Sequence, residues 1–171
     1  MTEVYVAAGS NIDPVNHLRR ALDELRRIYP RLTVSPAYRN KAVGFEGEDF
    51  INLVVGFSTQ QPVARVREQL QRIETLCGRP AASPKWAPRS MDLDILLYGD
   101  IVSNEPGLVI PRPDLLRRPY MLKPMADIAP DVEHPLAKKT MRELWESFDS
   151  AGHEMVEAPL TSPHSARHLP R

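Results

Sequence analysis

The sequence predicts an α+β fold in which one sheet carries two helices on the same face. Three observations predict it. Four strand-like runs and two helical runs follow one another in the order β-α-β-β-α-β between residues 4 and 99, which is the split βαβ arrangement of ferredoxin-like folds. Both helical runs keep apolar residues three and four apart, so each has one stripe to bury. A length of 171 residues is that of one domain with its own core.

The elements follow in order. VYVAA (4–8) reads as the first strand, closed by Gly9-Ser10-Asn11. Asp13 stands at an N-cap position with Pro14 behind it, and Val15, Leu18, Leu22, Leu25 and Ile28 then keep helical spacing to Tyr29-Pro30. LTVSPAY (32–38) reads as a second strand whose Pro36 marks an edge or a bulge. KAVGFEGED (41–49) is a loop, and FINLVVGFS (50–58) is the third strand. The second helix begins near Pro62, carries Val63, Val66, Leu70, Ile73 and Cys77 on one face, and ends at Gly78, a C-cap glycine. RPAASPKWAPRSM (79–91) is a long proline-rich loop before the fourth strand, DLDILLYG (92–99). Residues 100–157 add a C-terminal extension, a short hairpin and then helices near 114–127 and 140–148. The domain is expected to span 1–157, with 158–171 a disordered tail rich in proline, serine and threonine.

Bulk properties narrow the function. The 22 basic residues balance the 22 acidic ones, which gives no support to a nucleic-acid or membrane partner. Cys77 is the single cysteine, so no internal disulfide can form, as suits a reducing compartment. MTEVYVAAGSN has no basic stretch leading into an apolar segment, and no apolar run approaches the ~20 residues of a bilayer span. A cytoplasmic location is expected.

The chemistry concentrates at the start of the fourth strand. Asp92 and Asp94 are two apart, hence on one face of an otherwise apolar strand. Such a pair can be a turn cap plus an arginine partner, or it can hold a divalent metal that removes the repulsion. Carboxylates with water and phosphate completing the shell suit magnesium better than zinc. Arg79, Lys85, Arg89, Arg112, Arg117 and Arg118 flank this strand or its continuation, and together with the aspartates they resemble a phosphate clamp. The sequence has no GxxxxGK[ST] loop, which excludes a Walker-type site.

KWAPRSMDLDIL (85–96) closely resembles the signature of the 6-hydroxymethyl-7,8-dihydropterin pyrophosphokinases, folate-pathway enzymes that transfer pyrophosphate from ATP to the pterin hydroxymethyl group and release AMP. The resemblance covers roughly residues 3–148 and takes in, collinearly, AAGSN (7–11), DFINLVV (49–55), QRIETLCGR (71–79) and RRPYMLKPMADIAPD (117–131). It implies that Asp92 and Asp94 hold two magnesium ions, and that Arg79 and Arg89 neutralise charge on the group in transit. It implies an ATP site from Gln71, Glu74, Lys85, Trp86, Arg89, Ile95, Arg112 and Arg118. For the pterin it implies a sandwich of Phe50 and Tyr120, with Asn52, Asp92 and the backbone near Asn40 and Val43 on the ring's edge. The expected partners are the two small-molecule substrates, with the protein a monomer.

Two positions depart from the family pattern. Arg112 in IPRPD replaces a histidine that meets ATP phosphate, and Ala81 replaces an arginine of the mobile loop. They motivate a rival, a weakened paralogue that binds pterin or nucleotide without turnover. A second rival, an RNA-binding sheet, needs exposed aromatics on the central strands and a basic face; VYVAA, DILLY and a net charge of zero supply neither.

Overall fold

The computed structural model describes residues 1–40, 49–78, 91–149 and 155–160. Its main sheet is antiparallel throughout. The strands are β1 (Thr2–Ser10), β2 (Thr33–Val34), β3 (Tyr38–Asn40), β4 (Phe50–Thr59), β5 (Asp92–Tyr98) and β8 (Val156–Glu157), in the order β5-β1-β4-β3-β8 with β2 also on β4. Strands β6 (Ser103–Glu105) and β7 (Leu108–Ile110) form a separate hairpin. This is the α+β, ferredoxin-like arrangement that the element order predicts.

Helices α1 (Pro14–Ile28) and α2 (Val63–Leu76) lie on one face. Leu18, Leu22 and Leu25 of α1 and Val66, Leu70 and Ile73 of α2 pack with Val4, Val6, Leu53 and Val55 in one buried cluster. Burying each large apolar side chain contributes about 1.5–3 kcal/mol, so these two stripes outweigh any single hydrogen bond at the helix ends. The other face is covered by the C-terminal extension: α3 (Asp114–Arg117), α4 (Pro119–Ile128) and α5 (Met141–Glu146). Leu115, Leu122, Met125 and Met141 pack there on Ala7, Val54, Leu96 and Leu97. With both faces covered, β1 is buried at every position from Val6 to Ser10 and β4 at every position from Ile51 to Phe57, rather than at alternate ones.

A bulge shapes β5. Tyr5 pairs with Leu97 and Val6 with Ile95, so Leu96 is an extra residue on the β5 side. Leu96 and Leu97 therefore both join the second cluster, while Leu93 and Ile95 serve the first. Asp94 lies opposite Ala7, and Ala7 opposite Val54. Opposed residues share a face, which puts the carboxylates on the side covered by α4.

Several expectations need correction. LTVSPAY is not one strand: it divides into β2 and β3 around Pro36, which has no N–H to give the ladder. Ser35 fills the gap, donating its N–H to the Val54 carbonyl (2.9 Å) while its Oγ accepts from the Val54 N–H (2.8 Å). The helix expected near 114–127 is two, α3 and α4. The break falls at Arg118 (φ −118°, ψ 119°), whose successor Pro119 disfavours helical backbone in the residue before it. Asp13 holds the N-cap position but does not cap, because its backbone is left-handed (φ 43°) rather than extended. Its carboxylate instead accepts from the Asn16 amide (3.1 Å).

Gly78 follows α2 with φ +89°, the conformation expected of a C-cap glycine. At the C-terminal side β8 pairs with β3, and Ala158, assigned by sequence to the tail, is buried with its N–H on the Ala37 carbonyl (2.8 Å). Residues 161–171 of that tail lie outside the described residues. No described helix is long and apolar enough to cross a membrane.

Candidate active site

The site grows from one row of the sheet. Asp92 on β5 is opposite Gly9 on β1, Gly9 is opposite Asn52 on β4, and Asn52 is opposite Tyr38 on β3. Phe50 and Asn40 form the next same-face pair along β4 and β3. Asp92, Asp94, Asn52 and Phe50 thus share the face that α4 covers. The Asn52 amide donates to Asn40 Oδ1 at 2.5 Å and is buried. Gly9 makes this possible: a Cβ there would lie 2.4 Å from Asn52 Oδ1.

The charge at Asp94 has a partner. Arg112 Nη1 is 3.5 Å from its carboxylate, and Arg112 Nε is 3.6 Å from that of Asp114. Arg112 donates its backbone N–H to the Leu96 carbonyl (3.0 Å), so the segment after β7 is pinned to β5 and the guanidinium is delivered beside the aspartate. Its Nε is buried, and it has no hydrogen-bond partner among the described residues. It meets Asp114 at ion-pair distance only, so the guanidinium keeps donor capacity that suits an anionic ligand.

Tyr120 lies in the first turn of α4. Burial pushes its hydroxyl pKa above the usual tyrosine range; nearby Arg118 and Arg112 act against that shift, and Asp114 and Asp94 with it. The ring therefore sits within electrostatic reach of the Asp94–Arg112 pair and of Arg118, which joins α3 to α4. Helix α4 is tied to the sheet nearby: the Tyr38 hydroxyl makes a short hydrogen bond to Asp127, and Lys123 Nζ is 2.7 Å from the same carboxylate. Burial and that carboxylate raise the Tyr38 pKa, keeping the phenol protonated as the donor.

A cleft of about 400 Å³ opens along the free edge of β5, between α2 and the β6–β7 hairpin. Gln71, Glu74, Ile95, Asp94 and Arg112 all line it. Glu74 Oε2 accepts the Leu93 N–H (2.9 Å). Since β5 ends the sheet, that carboxylate satisfies an edge amide and holds the strand that carries both aspartates. A larger cavity, about 760 Å³, lies at the far end of the sheet among Tyr5, Tyr29, Gly56 and Phe57. It contains none of the residues singled out in the sequence, and the smaller cleft, which holds the Asp94–Arg112 pair, is the chemical candidate.

The structure thus gathers Gln71, Glu74, Ile95, Asp94 and Arg112 at the cleft, and Asn40, Phe50, Asn52 and Asp92 on one sheet face, with Tyr120 in the helix above it. Val43, Arg79, Lys85, Trp86 and Arg89, with Ala81, lie outside the described residues. Sequence reading missed Gly9, Tyr38 and Asp127. A glycine inside a strand is itself a sign of close approach; nothing local marks the Tyr38–Asp127 bond, whose partners are 89 residues apart.

Residues 5–130 match the model of the 7,8-dihydro-6-hydroxymethylpterin-pyrophosphokinase (HPPK) family. The chain is 33% identical over 145 residues to the 2-amino-4-hydroxy-6-hydroxymethyldihydropteridine pyrophosphokinase of Aquifex aeolicus, covering 84% of this chain and 90% of that protein. It is 33% identical over 161 residues to the Haemophilus influenzae protein of the same name, covering 92% and 98%. Among solved structures, a Plasmodium falciparum HPPK-DHPS superposes with a TM-score of 0.64 at 15% identity, a likeness of fold. The match covers 85% of this chain and 43% of that one.

Proposed function

The chain belongs to the HPPK family, and from that premise we propose that it transfers pyrophosphate from ATP to the hydroxymethyl group of 6-hydroxymethyl-7,8-dihydropterin, releasing AMP, as a step of folate synthesis. One observation carries the reading: the start of β5 stands between two surfaces of different chemistry. On one side is a cleft with an arginine whose buried Nε makes no hydrogen bond among the described residues. On the other is a sheet face with an aromatic ring, a carboxamide and a carboxylate in register.

Each surface suits one substrate. Asn52 and Asn40 offer amide donors and acceptors for the edge of a pterin ring, and Phe50 and Tyr120 offer aromatic faces for stacking. Arg112 meets phosphate oxygens, and Arg79 and Arg89 add to that clamp as charge develops in transfer. Gln71, Glu74, Lys85, Trp86, Ile95 and Arg118 complete the surroundings of ATP. Asp92 and Asp94 are oxygen donors of the kind magnesium takes, and as only two protein ligands they leave most of its shell to water and phosphate. Two magnesium ions held there supply charge neutralisation for the bound triphosphate. The reading takes the protein as a monomer of one domain that works in the cytoplasm, as its composition leads one to expect.

The Asp94–Arg112 contact favours one alternative, since a guanidinium 3.5 Å from that carboxylate competes with a cation for it. In that case the protein binds its ligands but turns over poorly. Incubating the protein with ATP, magnesium and the dihydropterin decides between them. Pterin-dependent AMP is the expected product. Binding of both ligands with no AMP would leave the non-catalytic paralogue, and ADP would mean transfer of a single phosphoryl group.

A further inference from the structure

Helix α4 contains a weak turn. Pro124 lies inside it and has no N–H, so the carbonyl four residues earlier, that of Tyr120, lacks its helical partner. Side chains of the same helix span the gap. Tyr120, Lys123 and Asp127 are three and four positions apart, hence on one stripe. Lys123 Nζ meets Asp127 Oδ1 at 2.7 Å, an ion pair that bridges the turn at Pro124. The other oxygen of Asp127 accepts the short hydrogen bond from the Tyr38 hydroxyl. Asp127 precedes the last residue of α4, where the helix dipole disfavours a negative charge. Helix formation alone therefore gives no reason for an acid there.

Tyr38 carries the connection to the substrate face. It is buried and lies opposite Asn52, while Asn40 and Phe50 form the next same-face pair along the same strands. The Tyr38–Asp127 bond thus joins the strands that carry Asn52 and Phe50 to the helix that carries Tyr120. Leu122 and Met125 hold α4 on the sheet through apolar contacts, which are non-directional. The hydrogen bond is directional, and it fixes the rotation of α4 about its own axis. Asp127 is seven residues from Tyr120, roughly 10 Å along that axis and on the same stripe. The rotation set at one end therefore decides where the Tyr120 ring stands relative to Phe50.

We propose that Tyr38 and Asp127 are positioning residues for the pterin, setting the spacing of the aromatic slot between Phe50 and Tyr120. The inference rests on the pyrophosphokinase reading and adds to it two residues that act through Tyr120 rather than on the ring. The test titrates the whole protein with a non-hydrolysable ATP analogue and magnesium, then with the dihydropterin, and measures steady-state kinetics. The variants are Tyr38→Phe, Asp127→Leu, Asp127→Asn and the double change Tyr38→Phe with Asp127→Leu. Tyr38→Phe and Asp127→Leu should each bind pterin more weakly by about fivefold to tenfold, the worth of one aromatic contact. The pterin KM should rise by the same factor, while kcat at saturating pterin and affinity for the ATP analogue hold. Asp127→Asn keeps an acceptor for the Tyr38 hydroxyl and should retain most of the pterin affinity. The double variant should lose no more than the weaker single one, because both act through one bond.

Unchanged pterin affinity in Tyr38→Phe and Asp127→Leu overturns the inference. Equal losses for pterin and the ATP analogue do so too, since they would make the bond a general brace, and so do additive losses in the double variant. If the unchanged protein bound pterin but formed no AMP, the transfer reading alone would fail, because the affinities still decide the positioning. If it bound no pterin at all, both would fall.

Discussion

At the scale of single residues, the site depends on one absent side chain and one compensated charge. Gly9 lets Asn52 turn its amide toward Asn40, and a methyl at position 9 would collide with Asn52 Oδ1. Gly9→Ala should weaken pterin binding by tenfold or more, about the worth of a misplaced polar contact, with ATP affinity unchanged; titration of each substrate checks this. Asp94→Ala should leave the fold intact, because Asp94 is half-buried and opposes only Ala7 in the sheet. The same variant should cost about a hundredfold or more in turnover, the scale of removing one preorganised electrostatic group. Near-normal turnover in magnesium would contradict the role given to Asp94. The aspartates and Arg112 are legible in the sequence, since charges beside an apolar strand have no packing reason to be there. Gly9 is less legible. AAGSN reads equally well as an ordinary strand end, and its meaning depends on which residue of β4 comes opposite.

At the scale of elements, what matters is how strands and helices are held to the site. Glu74 closes the free edge of β5, and the Tyr38–Asp127 bond ties α4 to β3, so both walls of the site are anchored by side chains distant in sequence. Helix periodicity makes α1 and α2 legible, but the same periodicity runs across 114–127 and conceals the break that Pro119 imposes at Arg118. The turn before α5 gives a pH prediction. His134 is 2% exposed, and its Nδ1 accepts the N–H groups of Leu136 (3.1 Å) and Ala137 (3.0 Å), which fixes the proton on Nε2. Burial lowers its pKa from the usual 6.5. The unfolded chain then takes up a proton before the folded one does. The stability that His134 contributes is therefore complete above about pH 6.5 and is lost as pH falls toward the lowered value. Thermal melts between pH 7.5 and 5 should show this loss, and His134→Asn, which keeps an acceptor but cannot titrate, should flatten it. Identical slopes for the two proteins would remove His134 from the account.

At the scale of the whole molecule, the sheet works as a partition. α1 and α2 bury one face, and the C-terminal extension buries part of the other, leaving the end near Asp92 to carry function. The βαββαβ core is legible because each element declares its own period. How the extension docks is not, because α3, α4 and α5 are short and their burial is set by Ala7, Val54, Leu96 and Leu97 on strands far earlier in the chain. The bulge at Leu96 is likewise invisible in DLDILLY, yet it sends two successive leucines to the second core while keeping both aspartates on one face. The central claim is that two phosphates move together from ATP to the pterin. ATP labelled in its β-phosphate tests that claim most directly. Label in the pterin product, with unlabelled AMP, is the predicted result; label retained in ADP, or in ATP that never reacts when both substrates are bound, would contradict it.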